Sequence, residues 1–175
     1  MKHITICICS YNNYDVLYKS INSLVKQSVT QSEYDVLILD NTTNSLTTKH
    51  KQAFAKCMIL CKKNNFKYVR KITSGLSGAR NACIELTDTP IIHFIDDDAV
   101  VHFDFVENTI KCFNENKNLV VVGGKVIADW SMIKKPEWLS NNMLGFLSML
   151  DFGNDIKKRE SEGFWLVGAN IAFRK

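Results

Sequence analysis

The sequence predicts an α/β fold, a mostly parallel central sheet flanked by helices on both faces. Three observations predict it. Short β-branched runs alternate with longer stretches of helical periodicity, in the order β-α-β-α-β-α-β up to residue 101. The run from Ile91 to Ile95 is nearly continuous in apolar residues, as in a strand covered on both faces. Polar clusters directly follow three of the strands, at 10–13, 40–45 and 96–98. Right-handed crossovers place the carboxyl ends of parallel strands along one edge, and ligands of open α/β sheets bind beyond that edge.

Residues 4–9 form the first strand, which breaks at the turn-forming Ser10-Tyr11-Asn12-Asn13. A helix is expected over about 14–27. Its pairs Val16/Leu17, Ser20/Ile21 and Leu24/Val25 recur every fourth residue, and Asn13 is its candidate N-cap. Residues 34–39 make the second strand, ending at Asp40. A second helix over about 47–64 carries Phe54, Cys57, Met58 and Cys61 on one face, and 66–72 is a third strand. Residues 73–81 contain Gly75 and Gly78 among small polar residues, which marks a loop. Ser77 is the candidate cap of a helix running to about Leu86.

Pro90 then opens the strand that ends in Asp96, Asp97 and Asp98. Further elements are expected as a helix over about 103–116 and strands over 119–128 and 163–174. Gly123-Gly124 marks a bulge or a close backbone approach. Residues 133–154, rich in Trp, Leu, Met and Phe around Pro136, read as irregular and partly helical, a lid or acceptor wall.

A length of 175 residues fits one domain with a real core. The apolar fraction of 46% and charged fraction of 23% exclude a disordered chain. No apolar run reaches the roughly 18 residues of a membrane span. The N-terminus lacks a secretory pattern, so the expected location is the cytoplasm. The six cysteines sit in apolar or helical contexts without Cys-x-x-Cys and read as reduced thiols. The net charge of +4 is mild, but 45–71 holds eight Lys or Arg and no acid. A solvated helix face is the plainer reading of that stretch. An anionic membrane surface or a phosphate-bearing substrate is the functional one, and no nucleic-acid-binding motif accompanies it.

Three consecutive acids at a strand end repel one another, and strands are depleted in Asp. A divalent cation explains them, since Mg²⁺ is held by one or two carboxylates plus substrate phosphates. A solvated turn with a helix N-cap is the other reading. The turn after the first strand lacks the glycines of a dinucleotide site, and no P-loop sequence occurs. His93 reads as structural within its strand, whereas His102 lies near enough in sequence to approach a metal.

Four stretches in order carry a resemblance. They are Ile4-Thr5-Ile6-Cys7-Ile8-Cys9-Ser10-Tyr11-Asn12, Tyr34-Asp35-Val36-Leu37-Ile38-Leu39-Asp40-Asn41, Gly75-Leu76-Ser77-Gly78-Ala79-Arg80-Asn81, and Ile92-His93-Phe94-Ile95-Asp96-Asp97-Asp98. Together they resemble the successive motifs of family 2 glycosyltransferases, which have the GT-A (Rossmann-like) fold and use nucleotide-diphosphate sugars. Gly123-Gly124, Pro136-Glu137-Trp138-Leu139 and the stretch from Gly168 to Arg174 resemble later motifs, so the likeness spans essentially the whole chain.

The resemblance implies a single domain. Residues 1–101 would be the nucleotide-sugar-binding part, and 102–175 the start of an acceptor-side part, incomplete here. Ser10, Tyr11, Asp40, Gly75, Arg80 and Asp96 would bind the donor. Tyr11 would lie against the base, Asp40 would accept from a base N–H, and Arg80 would lie near the base or diphosphate. Asp98, with Asp96, would hold Mn²⁺ or Mg²⁺ as a Lewis acid on the leaving diphosphate. Asp97 ranks lower, because continued strand alternation turns it to the other side. Plainer readings stand beside these: Tyr11 packed beneath its loop, Asp40 shaping an Asx-rich turn, and Arg80 paired with an acid on its own helix.

The expected activity is metal-dependent, inverting sugar transfer to a saccharide or lipid-linked acceptor in cell-surface polysaccharide synthesis, in peripheral contact with the inner face of the membrane. One departure matters. The family's catalytic Asp follows the strand ending near Phe173, and the sequence stops at Lys175. Asp151, Asp155, Glu160 and Glu162 do not occupy the matching position, so no general base is assigned. The rival expectation is a nucleotide-sugar-binding module or a truncated fragment without transfer. A nucleotidyltransferase would show a Gly- and basic-rich loop after the first strand, and none is present.

Overall fold

Isoleucine at every second position of the first strand divides the molecule into two cores. The computed structural model describes residues 2–43, 46–153, 156 and 165–175. Its elements run β1 (Ile4–Ser10), α1 (Tyr14–Val25), β2 (Tyr34–Asp40), α2 (Thr48–Lys63), β3 (Lys67–Arg70), α3 (Gly75–Glu85), β4 (Ile91–Asp96), α4 (Phe105–Glu115), β5 (Val121–Gly123) and β6 (Asn170–Arg174). A short 3-10 helix covers Asn141–Leu147. The sheet order is β3-β2-β1-β4-β6-β5. The first four strands are mutually parallel, and β6 runs antiparallel to both β4 and β5.

On one face Ile4, Ile6 and Ile8 of β1 meet Leu17, Ile21 and Leu24 of α1, Cys57 and Cys61 of α2, and Val106 and Phe113 of α4. On the other face Cys7 of β1, Leu37 and Leu39 of β2, and Ile92 and Phe94 of β4 pack against Ala79, Ala82 and Cys83 of α3. The small side chains of α3 let that helix lie close to the sheet. The α1 stripe is completely buried, so truncating Ile21 to Ala is worth about 2–5 kcal/mol.

Several elements are shorter than their sequence patterns predict. The first helix stops at Val25, and Gln27 takes up loose ends instead. Its side-chain N–H donates to Ser23 O at 3.0 Å, and its oxygen accepts from Val106 N at the start of α4. The edge strand β3 covers 67–70, because only that much pairs with β2. Phe66 is buried just before it, among the side chains of the larger core. Helix α3 starts at Gly75, with Ser74 rather than Ser77 at the cap position. Gly75 has φ +66°, the left-handed turn that glycine makes without a Cβ penalty.

The strand expected over 119–128 is limited to β5. A Cβ on Gly123 would lie 2.5 Å from Leu166 Cδ2, and one on Gly124 would lie 2.5 Å from Asn170 Nδ2. These glycines are a close approach rather than a bulge. Beyond them the chain leaves the sheet and makes an isolated bridge between Val126 and Leu150. The final strand begins at Asn170, where a turn closes from Asn170 N to Val167 O at 3.2 Å; part of the stretch expected to precede it lies outside the described residues.

Candidate active site

The sheet reverses direction of growth between β1 and β4: β2 lies on one side of β1 and β4 on the other. Ligands of open α/β sheets bind at such a switch point, beyond the strand carboxyl ends. Cys9 pairs with Asp96, so the tips of β1 and β4 end level and bring Ser10 beside the acidic triplet.

The three acids have three different surroundings. Strand β4 ends at Asp96, and Ala99 N donates back to Asp96 O at 3.2 Å. The triplet therefore rounds a turn. Asp96 meets Arg80 of α3 on one face of the sheet, and Asp97 faces the β1–α1 loop on the other, the side to which strand alternation turns it. Its Oδ2 accepts from Ser10 Oγ at 2.7 Å and its Oδ1 from Asn13 Nδ2 at 3.2 Å. Burial pushes the Asp97 carboxyl above the ordinary carboxylate value, and the Ser10, Asn13 and Tyr11 amide bonds oppose that shift. Asp96 is also pushed up by burial, opposed by Arg80 and reinforced by Asp98 and Asp97. Asp98 is exposed and, among the described residues, has no hydrogen bond or ion pair.

Arg80 projects from α3 into this edge. Its Nη2 lies 3.5 Å from Asp96 Oδ1 and donates to Gly168 O at 3.1 Å. Its guanidinium carbon sits 5.6 Å from the centroid of the Phe94 ring. Arg80 is therefore paired across the sheet with β4, not with an acid of its own helix. A Cβ on Gly168 would come within 2.7 Å of Arg80 Nη2, so a larger residue there would make the guanidinium shift.

Tyr11 stands out from the loop after β1, 53% exposed, with its hydroxyl 3.4 Å from Thr43 Oγ1. The ring is therefore open to solvent, not packed beneath the loop. Asn12, at φ +57°, makes the turn behind it and donates its N–H to Thr42 Oγ1. Asn has a short polar side chain that tolerates this conformation. Gly75 has no atom within 4 Å of where its Cβ would be, so the entrance to α3 is open.

Asp40 is placed differently from the sequence expectation. It is 0% exposed. Its Oδ2 lies 3.0 Å from the hydroxyls of both Tyr14 and Tyr68, and its Oδ1 accepts from Thr42 N at 3.0 Å. Its carboxylate is thus committed inward, on three donors from α1, β3 and its own loop. Burial, helped by the Asp40 charge, pushes the Tyr68 hydroxyl far up. The neighbouring Asn41 ties the loops together: its N donates to Ser10 O at 2.8 Å and its Oδ1 accepts from Thr73 N at 2.6 Å.

His93 is structural. Its Nε2 is 2.8 Å from Asn170 Oδ1, its Nδ1 is 3.2 Å from Thr109 Oγ1, and its ring lies 4.4 Å from that of Phe105. Burial pushes it down to about 4, so it is neutral at pH 7. His102 pairs with Asp104 at 2.7 Å. Asp151 pairs with Lys125 at 3.1 Å, while Asp155, Glu160 and Glu162 lie outside the described residues. The site residues that sequence reasoning missed or ranked low are Asn13, Asn41, Asp97, Gly168 and Asn170. Asn13, Asn41 and Asp97 lie in the polar clusters that the sequence places after the strands, and Gly168 and Asn170 in a motif-like stretch to which it gave no role.

The donor set fits a hard divalent cation. Asp98 is exposed and Asp96, two residues before it, is half-buried, two carboxylates of the kind that hold Mg²⁺ or Mn²⁺ together with phosphate oxygens. No group of three or more His, Cys, Asp or Glu poised for a metal exists among the described residues.

Comparison with known proteins bears on the fold and the family. The chain is 22% identical over 161 residues to the poly(ribitol-phosphate) β-N-acetylglucosaminyltransferase TarP of Staphylococcus aureus, covering 86% of this chain and 48% of TarP. It is also 22% identical over 173 residues to the glucosyl-dolichyl phosphate glucuronosyltransferase of Haloferax volcanii, covering 98% and 52%. The chain thus spans about half the length of these relatives. Among solved structures, the mannosyltransferase PcManGT of Pyrobaculum calidifontis, in complex with GDP-Man and Mn²⁺, superposes with a TM-score of 0.65 at 14% identity, covering 98% of this chain and 44% of that one. S. aureus TarS 1–349 in complex with UDP-GlcNAc gives 0.57 at 19%, covering 74% and 37%. These structures share the GT-A fold. The profile described as Glycosyl transferase family 2 matches residues 5–175, and the chain belongs to that family.

Proposed function

We propose that this chain is the donor-binding part of a metal-dependent, inverting glycosyltransferase. It moves a sugar from a nucleotide diphosphate to a saccharide or lipid-linked acceptor in cell-surface polysaccharide synthesis. The observation that carries this reading is the meeting of Ser10, Tyr11, Arg80 and the Asp96–Asp98 turn at the β1/β4 switch point. The relatives named for poly(ribitol-phosphate) and glucosyl-dolichyl phosphate support the acceptor class.

Each residue has a physical task in this reading. The exposed Tyr11 ring offers a face to the planar base. Asp40 shapes the loop that lines the base from behind, through its bonds to Tyr14, Tyr68 and Thr42. Gly75 keeps the N-terminus of α3 accessible, and the loose amides of a helix start suit diphosphate oxygens. Arg80, held by Gly168 O and Asp96, offers its remaining N–H donors to the same oxygens.

Asp98 and Asp96 would hold the cation, which when bound supplies Lewis-acid stabilisation of the departing diphosphate. In the transfer the acceptor oxygen bonds to the anomeric carbon from the face opposite the diphosphate. The bond from that carbon to the diphosphate oxygen breaks, and the acceptor proton passes to a base. For a lipid-linked acceptor the protein works in peripheral contact with the cytoplasmic side of a membrane.

Calorimetry with UDP and GDP, with and without Mn²⁺, tests the donor site. The expected result is binding that requires both the nucleotide and Mn²⁺. Equal affinity without the metal would remove the metal assignment. Donor hydrolysis across an acceptor panel separates a transferase from a binding module, since transfer by the chain would exclude the module.

A further inference from the structure

Helix α2 carries a surface unrelated to the donor edge, and we infer that it docks the protein on an anionic lipid bilayer. Ala53, Cys57 and Cys61 form the buried stripe of α2. Diametrically opposite, Ala55 and Ile59 stack one turn apart along the exposed crest, with Ile59 68% exposed. Lysines flank that crest on both sides. Lys56 and Lys63 share one flank, and Lys51 and Lys62 the other, all four exposed.

None of these four lysines has an ion pair or hydrogen bond from its side chain among the described residues. The whole stretch 45–71 contains eight basic residues and no acid. The four exposed lysines of α2 attract an anionic surface, at about 1 kcal/mol per lysine near a charged bilayer. The apolar crest selects among anionic partners. Lysines on either side of an isoleucine can spread their charged heads to phosphate level while the isoleucine enters the acyl boundary. A nucleic acid would give Ile59 nothing to enter. No helix among the described residues is long and apolar enough to cross a membrane, so this is contact along a surface.

Docking and donor binding are separable, because the four lysines and Ile59 are not part of the donor site. Co-sedimentation of the whole chain with vesicles tests the inference. The vesicles are pure phosphatidylcholine or equimolar phosphatidylcholine and phosphatidylglycerol. The expected result is binding to the anionic vesicles alone, weakened by salt. Each Lys→Ala among Lys51, Lys56, Lys62 and Lys63 should lower it about fivefold. Ile59→Ser should weaken it further at unchanged charge, with far-ultraviolet circular dichroism and UDP or GDP binding intact.

Three results would overturn the inference: no binding to anionic vesicles, equal binding to neutral ones, or indifference to both the lysine and the isoleucine changes. So would tight binding to single-stranded DNA that Ile59→Ser leaves untouched, with vesicles ignored. Loss of nucleotide binding with vesicle binding intact would count against the donor site alone.

Discussion

The two ends of the sheet's chain path are built in opposite ways. Up to residue 101 the polar edge is tied by side-chain bonds spanning long stretches of sequence, among them Ser10–Asp97, Tyr14–Asp40 and Asn41–Thr73. Between Gly124 and β6 the chain leaves the sheet, and large apolar side chains stand in solvent, including Met132 at 83% and Phe146 at 88%. The loops of the polar edge are thus held to one another by buried and part-buried side-chain bonds. The later region presents apolar surface held by few backbone ties. Within the donor edge the same contrast recurs at single-residue scale. Asp97 is spent on holding a loop, while Asp98 next to it is left open.

The comparison is sharpened most by removing the buried anchor of the donor edge. Asp40→Ala strands three donors in the interior, at about 1–3 kcal/mol each. A loss of about 3 kcal/mol or more in chemical denaturation is expected, and a change under 1 kcal/mol would deny that the loop hangs on this carboxylate.

His93 gives the next effect, and it depends on pH. Burial holds the folded imidazole down at about 4, against about 6.5 when unfolded. Its contribution is therefore present in full above pH ~6.5 and is lost as pH falls towards 4. By linkage this amounts to about 3 kcal/mol. Melting temperature followed between those pH values should fall, and His93→Gln should flatten that fall. An identical slope in the variant would show that His93 is not the group responsible.

A smaller effect is expected at Asp97. Replacing it by Ala frees Ser10 and Asn13, costs about 1–3 kcal/mol and loosens the Tyr11 loop, so nucleotide affinity should fall together with stability. Smallest of all is Phe146→Ala, within about 0.5 kcal/mol because the ring is already in water. A large loss there would mean that the later region is packed as firmly as the donor edge.

Much of this contrast was legible in the sequence. The β-α alternation and the polar clusters at 10–13, 40–45 and 96–98 located the edge, because strand ends in parallel sheets are set by topology rather than by detailed packing. What could not be read was the burial of Asp40. Asp40 follows a strand just as Asp96 ends one. Only the tertiary approach of the Tyr14 and Tyr68 hydroxyls, from elements on either side in sequence, turns Asp40 inward. Strand alternation turns Asp97 to the face opposite Asp96, but its partners there, Ser10 and Asn13, are tertiary contacts that no local pattern encodes. The Arg80–Gly168 contact spans 88 residues of sequence, and no local pattern encodes it. The shortened β5 has the same origin, in glycines whose neighbours are Leu166 and Asn170.

The central claim is that the exposed acid, not its hydrogen-bonded neighbour, carries the cation. Electron paramagnetic resonance of Mn²⁺ with UDP or GDP, counting bound ion in the unaltered chain, Asp98→Ala and Asp97→Asn, tests it most directly. Nucleotide-dependent Mn²⁺ binding should vanish in Asp98→Ala and survive in Asp97→Asn, where the amide oxygen can still accept from Ser10. Retention in the first variant and loss in the second would contradict the assignment.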